Sequence, residues 1–268
     1  MRWFLALLIS FSFFLPMTVF GSSVRDRIIA NHFAYLPASE GHFPTLIVMP
    51  GCSGISSSDT ASEEANPKLH PDDLLFRRHY RQVAESFRDE GYAVLLIDIH
   101  SAEGFLTACG DGIDIETIAE YIDASVAWAG TLSYVQNNNI HVVGYSMGAR
   151  GVLKWLHGPR SEASNVRSLI AVYPGCSEHK TLTIPIRTLV LLGGSDDIAD
   201  PSICEDLIES VPVREYITVE IYPGARHGFD IADAPPVMDI GNGLSIGYQK
   251  EAAEAAWAAM LGFLGTAK

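Results

Sequence analysis

The five residues Gly144-Tyr145-Ser146-Met147-Gly148 decide how this chain is read. They follow a short apolar run, Ile140-His141-Val142-Val143, and precede Ala149 to His157, where Val152, Leu153, Trp155 and Leu156 form a candidate helix face. A strand, then Gly-x-Ser-x-Gly, then a helix is the order that sets a serine in a tight, strained turn with its hydroxyl above the end of a sheet. The flanking glycines leave room for the close backbone approach such a turn demands. Alone, the pattern carries little weight. With 23 glycines in 268 residues, chance supplies it in roughly one chain in six, so its surroundings must agree.

Outward from that turn, the same kind of apolar run recurs. Upstream lie Phe43 to Met49, ending in Pro50-Gly51-Cys52-Ser53-Gly54, and Tyr92 to Asp98; downstream lie Leu169 to Tyr173, Arg187 to Leu192 and Ile217 to Tyr222. Continuous apolar runs bounded by turn residues are the signature of strands buried on both faces of a parallel sheet. Ile28 to Leu36 reads as an edge strand. Helical spacing appears at Leu75, His79, Val83 and Phe87, with Gly91 as the stop, and again from Ile113 to Trp128. A terminal alanine-rich helix, Gln249 to Leu264, would turn Ala253, Trp257, Met260 and Leu264 to the sheet. The polar stretch Ile55 to Asp73 reads as a loop lining a site entrance. Strands alternating with helices predict an α/β fold, a mostly parallel central sheet flanked by helices on both faces. No linker or internal repeat divides the chain, so residues 22–268 are expected to form one domain.

Composition narrows the function. At 48% hydrophobic and 19% charged residues the chain can bury a core, and its net charge of -14 argues against nucleic acid and anionic membranes as partners. Arg2, the uncharged run Trp3 to Phe20 broken by Pro16, and the small residues Gly21-Ser22-Ser23 read as a secretory signal cleaved after Gly21. An uncleaved anchor is the alternative, because the run approaches the ~18 residues that begin to span a bilayer. The expectation is a signal peptide over 1–21 and a secreted or periplasmic protein without stable membrane association. Cys52, Cys109, Cys176 and Cys204 contain no Cys-x-x-Cys pair, so a zinc or thioredoxin-type site has no support. In an exported chain their even number suggests two disulfides, with three possible pairings; the alternative is that some are buried small apolar residues.

Sites in such sheets form at the carboxyl ends of the strands. Leu192 is followed by Gly193-Gly194-Ser195-Asp196-Asp197, and Tyr222 by Pro223-Gly224-Ala225-Arg226-His227-Gly228-Phe229. Serine, then aspartate, then histidine is the chain order of an α/β-hydrolase triad. A serine hydroxyl needs a base to take its proton as it attacks, and imidazole suits that task near neutral pH. Ser146 is therefore the candidate nucleophile and His227 the base. Asp196 is the preferred acid to orient the imidazole, with Asp197 in reserve. Backbone donors for the oxyanion fall to Met147, after the nucleophile, and to Cys52, after the Phe43 to Met49 strand. His100 also follows a strand end, and His141 lies in the elbow strand. Asp98 reads as structural, and the side chains of Tyr145 and Met147 as packing or pocket groups. No metal or organic cofactor is called for.

These motifs resemble the dienelactone hydrolase family of α/β-hydrolases. The matches are Pro50-Gly51-Cys52-Ser53-Gly54, where relatives carry His-Gly, then Gly144 to Gly148, Tyr173-Pro174-Gly175-Cys176, Gly193 to Asp197, and Tyr222 to Asp230 with its His-Gly-Phe-Asp. The resemblance implies Ser146, Asp196 and His227 in the nucleophile, acid and base positions. It departs at the nucleophile, where the enzymes that name the family use cysteine, and this favours ordinary carboxylic esters over dienelactone. It also implies paired cysteines, Cys52 with Cys109 and Cys176 with Cys204. The expected activity is hydrolysis of a small-molecule ester through an acyl-enzyme. A peptidase or acyltransferase with the same triad, and a hydrolase-fold binding protein without catalysis, are the alternatives; the intact triad argues against the last.

Overall fold

A computed structural model describes residues 22–55, 71–105, 108–109 and 112–265, with 71–77 described by backbone alone. The expected signal peptide, and residues 56–70 of the expected entrance loop, lie outside the described residues. The strands of the main sheet are β1 (His32–Tyr35), β2 (Phe43–Met49), β3 (Ala93–Ile97), β4 (Val135–Tyr145), β5 (Val166–Val172), β6 (Thr188–Gly193) and β7 (Ile217–Tyr222). They lie in the order β1-β3-β2-β4-β5-β6-β7. Every neighbouring pair is parallel except β1 with β3.

Strand residues alternate between two cores, which is why the apolar runs are continuous. Val142 joins the core under α1 (Val24–Ala30), α4 (Ile115–Ala129), α5 (Met147–Trp155) and α6 (Pro201–Ser210). Val143, next in line, joins the core under α2 (Pro71–Asp89) and α7 (Lys250–Leu264). Ser146 follows β4, the fourth of the seven strands, at its carboxyl end.

Several boundaries differ from those expected. Part of the expected first strand is helix: Ser23 and Asp26 form a reciprocal capping box that starts α1, and only His32–Tyr35 is extended. The second helix starts at Pro71, within the stretch expected to be loop, because Pro fits a first helical turn. The terminal helix buries Ala252, Ala256, Met260 and Leu264, leaving Ala253 and Trp257 partly exposed at its flank, where Trp257 packs on Phe87. A short helix, α3 (Ile99–Glu103), is capped by Asp98, which accepts from the Ser101 amide at 3.1 Å and its hydroxyl at 2.6 Å. A separate hairpin, β8 (Met238–Gly241) with β9 (Leu244–Ile246), has no counterpart among the expected strands.

Two disulfides join Cys52 to Cys109 and Cys176 to Cys204, the pairing the resemblance implied. They close chain separations of 57 and 28 residues. In the chain-entropy view such loops are worth about 4 and about 3.5 kcal/mol against the unfolded chain. Two disulfides suit an oxidising, extracellular compartment. Among the described residues no helix is long and apolar enough to cross a membrane.

Candidate active site

The elbow depends on both of its glycines. A Cβ on Gly148 would collide with the Met49 carbonyl, and one on Gly144 would sit 2.5 Å from the Gly148 carbonyl oxygen. Ser146 between them has φ 49° and ψ -111°, a conformation side-chain-bearing residues avoid. Its amide donates to the Val172 carbonyl at 2.9 Å, which ties the turn to β5.

Three groups from three turns converge here. Ser146 Oγ lies 2.8 Å from His227 Nε2, and His227 Nδ1 lies 2.7 Å from Asp196 Oδ2. A carboxylate only accepts, so Nδ1 carries the proton and Nε2 faces the serine with its lone pair. Asp196 is held in turn by the amides of Ile198 and Ala199, which donate to its other oxygen at 2.9 and 2.8 Å. Asp196 and His227 are 6% and 8% exposed, so the pair works in a largely water-excluded setting.

Asp197 points elsewhere. It accepts from the Ser245 amide at 2.9 Å, the Ser245 hydroxyl at 2.7 Å and Arg226 at 3.3 Å. Those partners, the Ser245 amide first, hold its carboxyl below the usual range.

Met147 opens α5, so its N–H has no carbonyl within the helix to reach. Upstream, the Gly51 carbonyl accepts from the Gly54 amide at 3.1 Å, which puts the Cys52 N–H on the opposite edge of the same trans peptide. Gly51, Cys52, Ser146, Met147 and His227 all line one open cleft of ≈ 1120 Å³.

The turn carrying Cys52 is braced from two directions. Tyr80 Oη accepts the Gly51 amide at 2.6 Å, and the Cys52 carbonyl accepts from the Ala108 amide at 2.8 Å and meets His100 Nε2 at 3.0 Å. His100 is thus a support under the cleft, and burial lowers its pKa. His141 is buried against Ser168 and Asn139 at 2.7 and 3.0 Å and makes no hydrogen bond to Ser146, Asp196 or His227.

Behind His227 lies a group of buried aromatic and polar side chains. The Tyr173 ring packs on the imidazole at 4.6 Å, and its hydroxyl donates to Asp230 at 2.8 Å. Burial pushes the Tyr173 phenol well above its ordinary value, so it remains a donor. His79 stacks edge-on against Tyr80 and Tyr145, and burial lowers its pKa against the opposing pull of Asp230. Asp230 closes the His-Gly-Phe-Asp motif, and the sequence alone assigns it no role. Tyr80 left no signal beyond its place in a helix-period run.

Among the described residues no group of three His, Cys, Asp or Glu side chains is arranged to hold a metal ion. Residues 76–268 match the sequence model of the dienelactone hydrolase family. The chain belongs to that family. Solved structures share the architecture of this family member. A candidate dienelactone hydrolase from Klebsiella pneumoniae subsp. pneumoniae is 17% identical over 87% of this chain and 91% of its own, with a TM-score of 0.62. A dienelactone hydrolase-like promiscuous phosphotriesterase from metagenomic libraries is 15% identical over 87% of this chain and 98% of its own, with a TM-score of 0.61. Est1E from Butyrivibrio proteoclasticus, solved with ferulic acid, is 17% identical over 74% and 86%, at a TM-score of 0.51. At these identities the likeness is one of fold. No curated protein sequence matches the chain significantly.

Proposed function

We propose that this member of the dienelactone hydrolase family is an exported serine hydrolase that cleaves carboxylic esters of small molecules through an acyl-enzyme. One observation carries the proposal: the unbroken relay from Ser146 Oγ through His227 to Asp196, at 2.8 and 2.7 Å. Ser146 Oγ attacks the ester carbon while His227 Nε2 takes the hydroxyl proton, and Asp196 stabilises the imidazolium that forms. The oxyanion is received by the N–H groups of Met147 and Cys52, each such donor being worth about 3 kcal/mol in the transition state. The ester C–O bond then breaks, and the proton passes from Nε2 to the leaving alkoxide. Water enters on the same base, and its attack on the acyl-enzyme returns the serine. The disulfides and the apolar leader read from the sequence support a secreted or periplasmic setting.

Labelling with a fluorophosphonate probe, followed by hydrolysis of p-nitrophenyl esters, tests the reading. Wild type is expected to label on Ser146, and Ser146→Ala to lose roughly 10⁶-fold in kcat. Asp196→Asn is expected to lose about 10⁴-fold, because the imidazole then presents the wrong tautomer. Asp197→Asn keeps its proton relay intact and is expected to lose far less. Equal labelling of Ser146→Ala would sink the assignment, as would a larger loss from Asp197→Asn than from Asp196→Asn.

A further inference from the structure

The hairpin β8–β9 follows His227 and precedes α7 in the chain, and it presents Met238, Ile240, Leu244 and Ile246 to the cleft. Asn242 and Gly243, with φ 55° and 76°, form its turn. A two-stranded ribbon is marginal in water by itself, so its attachments matter. Both lead to the triad's own turns. Ile246 forms a backbone bridge with His227, and the Gly247 amide donates to the His227 carbonyl at 3.0 Å. Ser245 donates through its amide and hydroxyl to Asp197, and its hydroxyl accepts from Arg226 at 2.6 Å. Asp197 adjoins the triad acid, and Arg226 adjoins the triad base. The hairpin is therefore fixed in register with the base and with the acid that orients it.

Its position says which part of a substrate it meets. In acylation His227 Nε2 must hand the proton to the departing alkoxide oxygen, so that oxygen sits within hydrogen-bond reach of the ring. The group beyond it then lies against what flanks His227: the hairpin through Ile246, Ile231 bonded to the Gly228 carbonyl, and the Tyr173 ring. This flank is apolar, and part of it is uncovered: Ile240 is 47% exposed and Ile198, also on the cleft, 38%. Elsewhere on the cleft lining, Arg150 and Glu178 satisfy each other in a two-pronged ion pair, with one prong at 2.7 Å.

We propose that the β8–β9 hairpin is the leaving-group wall of this site, selecting esters whose alcohol carries an extended apolar chain. Asp197, Arg226 and Ser245 are the positioning residues that hold the wall against His227. The inference rests on the serine-hydrolase reading, and the test separates the two.

Fluorophosphonate labelling of Ser146 is measured first. Acetates of methanol, butanol, hexanol and octanol are then compared with methyl esters of acids of matching length. Along the alcohol series kcat/KM is expected to rise by up to about fourfold per methylene until the wall is covered, the gain a buried methylene brings. Along the acid series the rise is expected to be much shallower. Ile240→Asp, at a half-exposed position, is expected to flatten the alcohol series. Ser245→Ala is expected to raise KM for hexyl acetate severalfold more than it lowers kcat, with Ser245→Thr restoring it. If Ser146 labels but the alcohol series is flat, or keeps its slope in Ile240→Asp, the wall assignment is wrong. If a merely structural role is all that Ser245 has, its replacement will lower every ester alike, which also overturns its positioning role. Failure of Ser146 to label defeats the serine-hydrolase reading and the wall with it.

Discussion

The two faces of the central sheet are packed with different chemistry. Under α1, α4, α5 and α6 the filling is mainly aliphatic, with Trp155 wholly buried in the same cluster as Val142, Val152 and Leu169. Under α2 and α7 it is rich in rings, with Tyr80, Tyr92, Tyr145, Tyr173, Tyr222 and Phe229 in one cluster. Phenol and carboxylate oxygens follow those rings inward, and two of the tyrosines touch the site: Tyr80 at the Gly51 amide, Tyr173 at the His227 ring. A buried polar atom is costly unless partnered, so its presence close to a cleft needs a reason that packing does not supply. The difference teaches that the aliphatic face supports the site through backbone, at Met147 and Ala108, while the ring-rich face also brings side-chain polar atoms and rings against it.

That contrast can be broken by substitutions on each side. Ile122→Ala, in α4 and wholly buried, is expected to cost about 3 kcal/mol of stability by leaving a cavity. Its kcat on a p-nitrophenyl ester should match wild type below the melting range; urea unfolding and initial rates measure the two effects. A loss of turnover in the folded Ile122→Ala protein would erase the distinction between the faces. On the other side, Tyr80→Phe removes the acceptor of a buried amide and keeps the ring. Turnover is expected to fall about tenfold, or about 1.4 kcal/mol in the barrier, with KM little changed. An unchanged kcat would reduce Tyr80 to packing.

A pH-dependent effect comes from a histidine on each side. Burial, the leading cause, holds His141 and His179 at pKa values of about 4, against an ordinary 6.5. Above pH 6.5 both folded and unfolded chains leave them neutral. Below it the unfolded chain binds protons that the folded chain refuses, so stability falls as pH drops from 6.5 towards 4 and the trend from these two groups then levels off. Unfolding free energies from urea titrations across that window are expected to decline by roughly 2 kcal/mol per pH unit at the steepest point, about half from each histidine. His141→Gln and His179→Gln should each remove part of it, and a slope unchanged in both variants would refute the assignment.

Much of this molecule can be read from its sequence because burial on both faces writes strands as unbroken apolar runs. Leu46 to Met49, Val94 to Ile97 and Leu189 to Leu192 show this plainly. The turns after β4, β6 and β7 were visible for the same reason, since each begins where a run ends. Asp196 and Asp197 could not be separated by position, because one residue of chain reverses the direction of a side chain; only the partners of each tell them apart. The hairpin carried a turn signal in Asn242-Gly243, but its strands of four and three residues are too short to show a period. The contact between Tyr80 and Gly51 joins residues 29 apart and follows no spacing rule.

The backbone of Ser146, at φ 49°, has one more consequence. Holding a side-chain-bearing residue there costs about 1–3 kcal/mol, and the cost recurs in every folded molecule whether or not an ester is present. Glycine is the residue that this geometry suits best, and glycine has no hydroxyl. Under the proposed mechanism durability and reactivity point in opposite directions at this position, so a search for sturdier variants that ignores turnover would drift toward a molecule with nothing left to attack with.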